Sequence, residues 1–212
     1  MKPTRILVVD DHPGFRMGLV GIVNSTDDLN VVAEAGSCVE AIEANRQFNP
    51  DVILMDLRLP DGSAVECILS LKRETPHCLV IIVTTYDADE DIYRALQAGA
   101  RSYLLKEAAA DEIRSTIRAV VRGETPLPAN VAQRLASRMS RPNLTRREHD
   151  MLRMIIRGRS NKEIGLDLGI TEDTVKGHLK NLFVKLGVKD RTQAAVTALE
   201  QGIVHLGERK SS

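Results

Sequence analysis

The sequence predicts an α/β domain with a parallel sheet, followed by a small all-helical domain. Five short apolar runs rich in branched residues, Ile6–Val9, Val31–Ala35, Val52–Met55, Leu79–Thr84 and Ser102–Leu105, read as strands. They alternate with helix-length segments near 14–24, 38–47, 63–74, 89–98 and 110–121. No strand run follows Leu105, and after residue 143 helix starts and stops punctuate the chain. Charge divides at the same place. Residues 1–140 hold 15 Lys/Arg and 20 Asp/Glu, residues 141–212 hold 14 and 9, so a chain with zero formal net charge has an acidic front and a basic tail. A basic tail favours a polyanionic partner.

Each element has its own signal. Five β–α units of this length require helices on both faces of a parallel sheet. About 120 residues suits the flavodoxin-like strand order 2-1-3-4-5, which makes the first and third strands neighbours and puts sites at their carboxyl ends. The first strand ends in Asp10-Asp11. The second helix opens on Ser37-Cys38-Val39-Glu40, a capping-box form. The third strand ends in Asp56 and is closed by Leu57-Arg58-Leu59-Pro60-Asp61-Gly62, the fourth ends in Thr84, and Lys106 follows the fifth. Residues 122–143 read as a linker, with Gly123, Pro126, Pro128 and Pro142 around one short helical stretch, Asn130–Met139. The tail, residues 144–212, reads as four helices. Thr145-x-x-Glu148, Ser160-x-x-Glu163 and Asp190-x-x-Gln193 mark three starts, Thr171 caps the other, and Gly158, Gly169, Gly187 and Gly202 mark the stops.

If the first and third strands are neighbours, Asp10, Asp11 and Asp56 crowd one small volume. Carboxylates that close are unfavourable unless a cation neutralises them or one stays protonated. An all-oxygen acidic cluster suits a hard divalent cation such as Mg2+. Cys38, Cys67 and Cys78 are odd in number and lack metal-type spacing, so they read as reduced core thiols in a reducing compartment. No apolar run approaches the ~20 residues of a membrane span and the N-terminus has no signal-peptide pattern, so the expected location is the cytoplasm, without membrane association.

Residues 1–121 resemble a CheY-like receiver domain over their whole length, on Asp10-Asp11, Asp56, Thr84, Tyr103 and Lys106 at the expected strand ends. The resemblance implies that Asp56 is the phosphoacceptor, taking a phosphoryl group from the phosphohistidine of a sensor histidine kinase. It implies a Mg2+ held by Asp11, the Asp56 carboxylate and the Arg58 backbone carbonyl, with Asp10 acting through water. Lys106 and Thr84 would stabilise the phosphoryl oxygens, and Thr84 and Tyr103 would form the switch pair, with the ring turning inward once Thr84 moves. In receivers the positions of Arg58 and Tyr86 border the path of the hydrolytic water. Long or aromatic side chains there imply slow loss of the phosphoryl group. Lys106-Glu107 departs from the Lys-Pro cis bond of many receivers, and a cis bond before a non-proline residue would cost about 3 kcal/mol.

Residues 144–206 resemble the LuxR-type helix-turn-helix of NarL/FixJ regulators. The stretches are Leu144-Thr145-x-Arg147-Glu148, Ser160-Asn161-Lys162-Glu163-Ile164, Thr174-Val175-Lys176-x-His178 and Lys185-Leu186-Gly187-Val188. From Thr171 to Leu186, Val175, Leu179, Leu182, Phe183 and Leu186 share one helical face. Gly177, Lys180, Asn181 and Val184 lie opposite, with Lys176 at the boundary, a face suited to the major groove of DNA. Lys176 and Lys180 are the candidates for base edges, and Thr174, Lys185 and Arg191 for phosphates. The amides near Thr171 suit a phosphate as well. Gly177 replaces a commonly apolar residue, which permits closer approach or removes one contact. His178 has no second ligand near it, and His12 reads as a surface side chain beside the acids.

Together the two resemblances imply a two-component response regulator that couples phosphorylation of Asp56 to DNA binding, as a homodimer on paired half-sites when active. One rival is a phosphatase of the haloacid-dehalogenase type, whose chemistry wants a second acid two residues after the nucleophile, where Arg58 stands. Another is a DNA-binding regulator that does not depend on phosphorylation, for which a damaged acidic site would be expected.

Overall fold

A computed structural model describes residues 2–205, so Met1 and the part of the tail expected beyond 205 lie outside the described residues. The chain divides into two compact units, one built mainly on residues up to Arg134, the other mainly from Leu135 onward.

The first unit runs β1 (Thr4–Val9), α1 (Pro13–Asn24), β2 (Leu29–Ala35), α2 (Cys38–Phe48) and β3 (Val52–Met55). It continues with two-residue strands β4 (Arg58–Leu59) and β5 (Gly62–Ser63), then α3 (Ala64–Glu74), β6 (Leu79–Thr84), α4 (Asp89–Gln97), β7 (Ser102–Leu105) and α5 (Ala110–Val121). Five strands form one parallel sheet in the order β2-β1-β3-β6-β7. With the separate β4–β5 hairpin set aside, this is the expected 2-1-3-4-5. That hairpin is an addition to the sequence reading, because Pro60-Asp61 turns the chain tightly enough to pair Arg58 with Ser63 and Leu59 with Gly62. β2 begins at Leu29 rather than Val31, since the exposed Asn30 interrupts the apolar run while Leu29 still pairs with Thr4. Pro13 supplies the first turn of α1, where its missing N–H costs nothing.

Alternation along the strands divides the core. Ile6, Val8, Leu54, Ile81 and Val83 pack with Leu19 and Val23 of α1 and Ile113, Ile117 and Val120 of α5. The alternate residues Leu7, Val9, Ile53 and Met55 are equally buried, on the opposite face. The register Val9↔Met55, extended by the Asp56 amide donating to the Val9 carbonyl at 2.8 Å, sets the two acid-bearing strand ends side by side.

Short helix α6 (Ala129–Met139) lies within the expected linker. The second unit then folds as α7 (Arg146–Ile156), α8 (Asn161–Leu168), α9 (Glu172–Leu186) and α10 (Arg191–Glu200). Thr145 and Ser160 form complete capping boxes with Glu148 and Glu163. Ser37 and Asp190 cap α2 and α10, but the reciprocal arms of Glu40 and Gln193 reach the amides of Gly36 and Lys189, one residue before the cap. Met151, Leu152, Ile155, Ile164, Val175, Leu179, Leu182, Ala194 and Ala198 form the core.

Candidate functional site: an acidic pocket and a helix-turn-helix

Asp10 and Asp56 are buried at 1% and 4% exposure, which is unusual for carboxylates and makes their partners decisive. Asp11 stands at the rim. Asp10, Asp11, His12 and Asp56 offer ligand atoms that all lie within 4.8 Å of one another, a cluster able to hold a metal ion. Asp56 Oδ1 is buried and has no hydrogen-bond partner among the described residues, an acceptor left over for a cation. The oxygen-rich donors fit a hard ion such as Mg2+. His12 is an exposed side chain beside the acids, as expected. Its Nδ1 lies 2.6 Å from Asp11 Oδ1, and its amide donates to Asp10 Oδ1 at 2.8 Å.

Lys106 enters from the end of β7. Its Nζ lies 2.6 Å from Asp10 Oδ2 and 2.7 Å from Asp56 Oδ2, bridging the two buried acids. Burial pushes the ammonium pKa down, but the hydrogen bonds to Asp10 and Asp56 outweigh it and hold it above the usual lysine value. The Lys106–Glu107 peptide is trans. Two further residues bound the pocket that the sequence did not single out. The Phe15 ring lies under the Lys106 ammonium, and Arg16 Nη1 donates to the Asp10 carbonyl. Asp61, noted only as part of a turn, accepts from the Cys38 and Val39 amides at 2.8 and 2.9 Å. Burial raises its pKa, and these amides at the start of α2 more than reverse that, leaving it low.

Thr84 is fully buried, and its hydroxyl accepts a 3.4 Å hydrogen bond from the Tyr86 amide. Tyr103 is also fully buried, its hydroxyl donating to the Tyr86 carbonyl at 2.6 Å, so the ring is already inward and the expected inward turn does not wait on Thr84. The Arg58 guanidinium sits 5.0 Å from the Tyr86 ring centroid. Tyr86 thus joins Thr84, Tyr103 and Arg58 through its amide, carbonyl and ring.

In the second unit, α8, the Gly169 turn and α9 form the helix-turn-helix. Gly169 and Gly187 end their helices at φ 66° and 68°, where glycine is favoured. Gly165 was not anticipated. A Cβ there would lie 2.7 Å from the Ile170 carbonyl oxygen, so only glycine lets the turn pass this close to α8. Val175, Leu179 and Leu182 are buried, while Lys176, Gly177, Lys180, Asn181 and Val184 are exposed on the other side of α9. A Cβ on Gly177 would meet nothing, so the face is open there. Lys176 pairs at the surface with Asp173 and Glu172 at 3.0 and 3.5 Å.

The residues expected at phosphates are engaged within the fold. The Thr174 hydroxyl lies 2.8 Å from that of Thr171, the N-cap of α9. The Lys185 ammonium donates to Glu148 Oε2 at 2.8 Å, and Arg191 donates to the Arg159 carbonyl and to Asn161 Oδ1. Sequence spacing reveals charge near the helix but not its partner across the domain.

A receiver-type acidic pocket on a parallel sheet, joined in one chain to a helix-turn-helix, defines a class of transcriptional response regulator. Residues 6–118 match the response regulator receiver domain and residues 142–198 match the luxR family of bacterial regulatory proteins. The transcriptional regulatory protein LiaR of Bacillus subtilis (strain 168) is 39% identical over 209 residues, covering 95% of this chain and 99% of its own. Response regulator protein VraR of Staphylococcus aureus (strain NCTC 8325 / PS 47) is 37% identical over 94% of this chain and 98% of its own. Among solved structures, response regulator ChrA of a heme-sensing two-component system is 35% identical with a TM-score of 0.58, over 96% of this chain and 100% of that one. The chain belongs to the LuxR family of response regulators, with a receiver domain followed by a LuxR-type DNA-binding domain. Among the described residues no helix is long and apolar enough to cross a membrane.

Proposed function

We propose that Asp56 accepts a phosphoryl group from a sensor histidine kinase and that this modification controls DNA binding by α9. The observation that carries the reading is the buried pair Asp10–Asp56 bridged by Lys106, with Asp11 at the rim and Asp56 Oδ1 unpartnered among the described residues. Asp11, the Asp56 carboxylate and the Arg58 backbone carbonyl would hold Mg2+, and Asp10 would act through water. When bound, that ion supplies positive charge to the phosphoryl oxygens. An Asp56 oxygen attacks phosphorus while the P–N bond to the kinase histidine breaks and the bonding pair stays with the imidazole. Lys106 then has a new anion to neutralise, and the Thr84 hydroxyl, released from the Tyr86 amide, donates to a phosphoryl oxygen.

Release of Thr84 pulls on Tyr86, and with it on Tyr103, the proposed switch. Arg58 stacked on Tyr86 restricts water at the mouth of the pocket, so the phosphoryl group is lost slowly by hydrolysis. Lys176 and Lys180 are the base-reading candidates, with Gly177 allowing close approach and the α9 amides near Thr171 meeting a phosphate. Lys185 and Arg191, bonded to Glu148, Arg159 and Asn161, hold the domain together. The active form is a homodimer on paired half-sites in the cytoplasm, and phosphorylation shifts an existing equilibrium towards it.

Footprinting on genomic DNA with and without a phosphodonor tests the reading. Phosphorylated wild type protects defined sites and Asp56→Asn does not respond. Equal DNA affinity and oligomeric state for Asp56→Asn and wild type under phosphorylating conditions would instead favour a regulator that ignores phosphorylation.

A further inference from the structure

We infer that Phe15 is a positioning residue for Lys106, an inference that rests on the reading of Asp56 as phosphoacceptor. The Lys106 Nζ lies 4.4 Å from the centroid of the Phe15 ring while it bridges Asp10 and Asp56. Lysine is a compact charge on a flexible four-carbon stem, and normally water orients it. Here the side chain is only 11% exposed, so water has little part in fixing its place. The ring face carries partial negative charge and attracts the ammonium, more strongly where the charge is withdrawn from water.

Phe15 is itself fixed, since it packs against the core cluster that contains Leu19 and Val23 of the same helix. The attraction is spread over the ring face and is less directional than a hydrogen bond. The ammonium is therefore free to move from the Asp56 carboxylate to a phosphoryl oxygen without leaving Phe15. Leucine at position 15 would fill space but would not attract the charge.

The full chain, with acetyl phosphate and Mg2+, is followed by intact mass. An Asp56 oxygen attacks phosphorus and acetate leaves with the P–O bonding pair. Phe15→Leu is expected to accept the group roughly fivefold more slowly, about 1 kcal/mol at the transition state. Phe15→Tyr keeps the ring and stays near wild type. Phe15→Met is a second ring-free variant with different packing, expected to match Phe15→Leu. Independently of activity, the Lys106 ammonium signal is observed by 15N NMR without donor or metal. It is expected to be sharp in wild type and Phe15→Tyr and broadened by exchange in both ring-free variants. Wild-type rates and a sharp signal in Phe15→Leu and Phe15→Met would overturn the inference. So would a loss in Phe15→Tyr equal to theirs, which would mean packing alone. If wild type takes no phosphoryl group and matches Asp56→Asn, the acceptor reading fails, while the ammonium signal still decides whether Phe15 holds Lys106.

Discussion

Lys185 separates two physical roles that a sequence cannot tell apart. A phosphate contact contributes to DNA affinity through counterion release, and losing one lowers the salt slope of log K by about 0.9. A structural tether contributes to folding and leaves that slope unchanged. The geometry favours the tether. Glu148, 7% exposed, accepts from the Thr145 amide at 2.7 Å, the Thr145 hydroxyl at 3.0 Å and the Lys185 ammonium at 2.8 Å. A charge-assisted hydrogen bond to a buried group contributes about 1.5–3 kcal/mol, and the 31% exposure of the Lys185 side chain argues for the lower end. Lys185→Met should therefore destabilise the DNA-binding domain by about 1.5 kcal/mol, which for a domain of this size lowers its melting temperature by roughly 6–12 °C. Burial pushes the Glu148 pKa up, but Lys185 and the Thr145 donors pull harder and leave it below the usual glutamate range. A depressed pKa gives stability that is present at neutral pH and lost as pH falls through the folded value, so Lys185→Met should also flatten the acid side of the stability profile. The measurements are calorimetry against pH and DNA affinity against salt. An unchanged melting temperature with a slope reduced by about 0.9 would refute the tether.

Arg58→Asn/Tyr86→Glu opens the mouth of the pocket and should shorten the lifetime of phospho-Asp56 severalfold, followed by mass spectrometry; equal lifetimes would sink the water-exclusion argument. Gly165→Ala puts a Cβ within 2.7 Å of the Ile170 carbonyl oxygen and should cost about 1–3 kcal/mol in a thermal melt, with DNA affinity falling as α8 and α9 are forced apart. Asp61→Asn removes the carboxylate from the α2 amides. The Asp61 pKa is held low in the fold, so its contribution is present at neutral pH and lost on acidification through that low value. Urea denaturation should show the variant less stable at pH 7, with the gap closing as the pH falls into the acid range.

Much of this fold was legible because its signals are local. Apolar runs gave all five main strands, and Thr145, Ser160, Thr171 and Asp190 gave the helix starts of the second unit. The strand ends alone place Asp10, Asp11, Asp56, Thr84 and Lys106 at one edge. What stayed hidden depends on contacts between residues distant in sequence. In the sequence Phe15 is one more apolar residue of α1, and nothing near it in the chain points to Lys106. Glu148 was visible as a capping residue but not as the acceptor for Lys185, 37 positions later. Gly165 lies inside α8 rather than at a helix end like Gly169 and Gly187, since its role comes from the backbone of the next turn.

The division of α9 has a consequence for how such a regulator diversifies. Val175, Leu179, Leu182 and Lys185 attach the helix to its own domain, whereas Lys176, Gly177, Lys180, Asn181 and Val184 face outward. The two sets share no residue. If the outward set reads the operator as proposed, mutation can rewrite it and change which promoter is preferred while the domain keeps its fold.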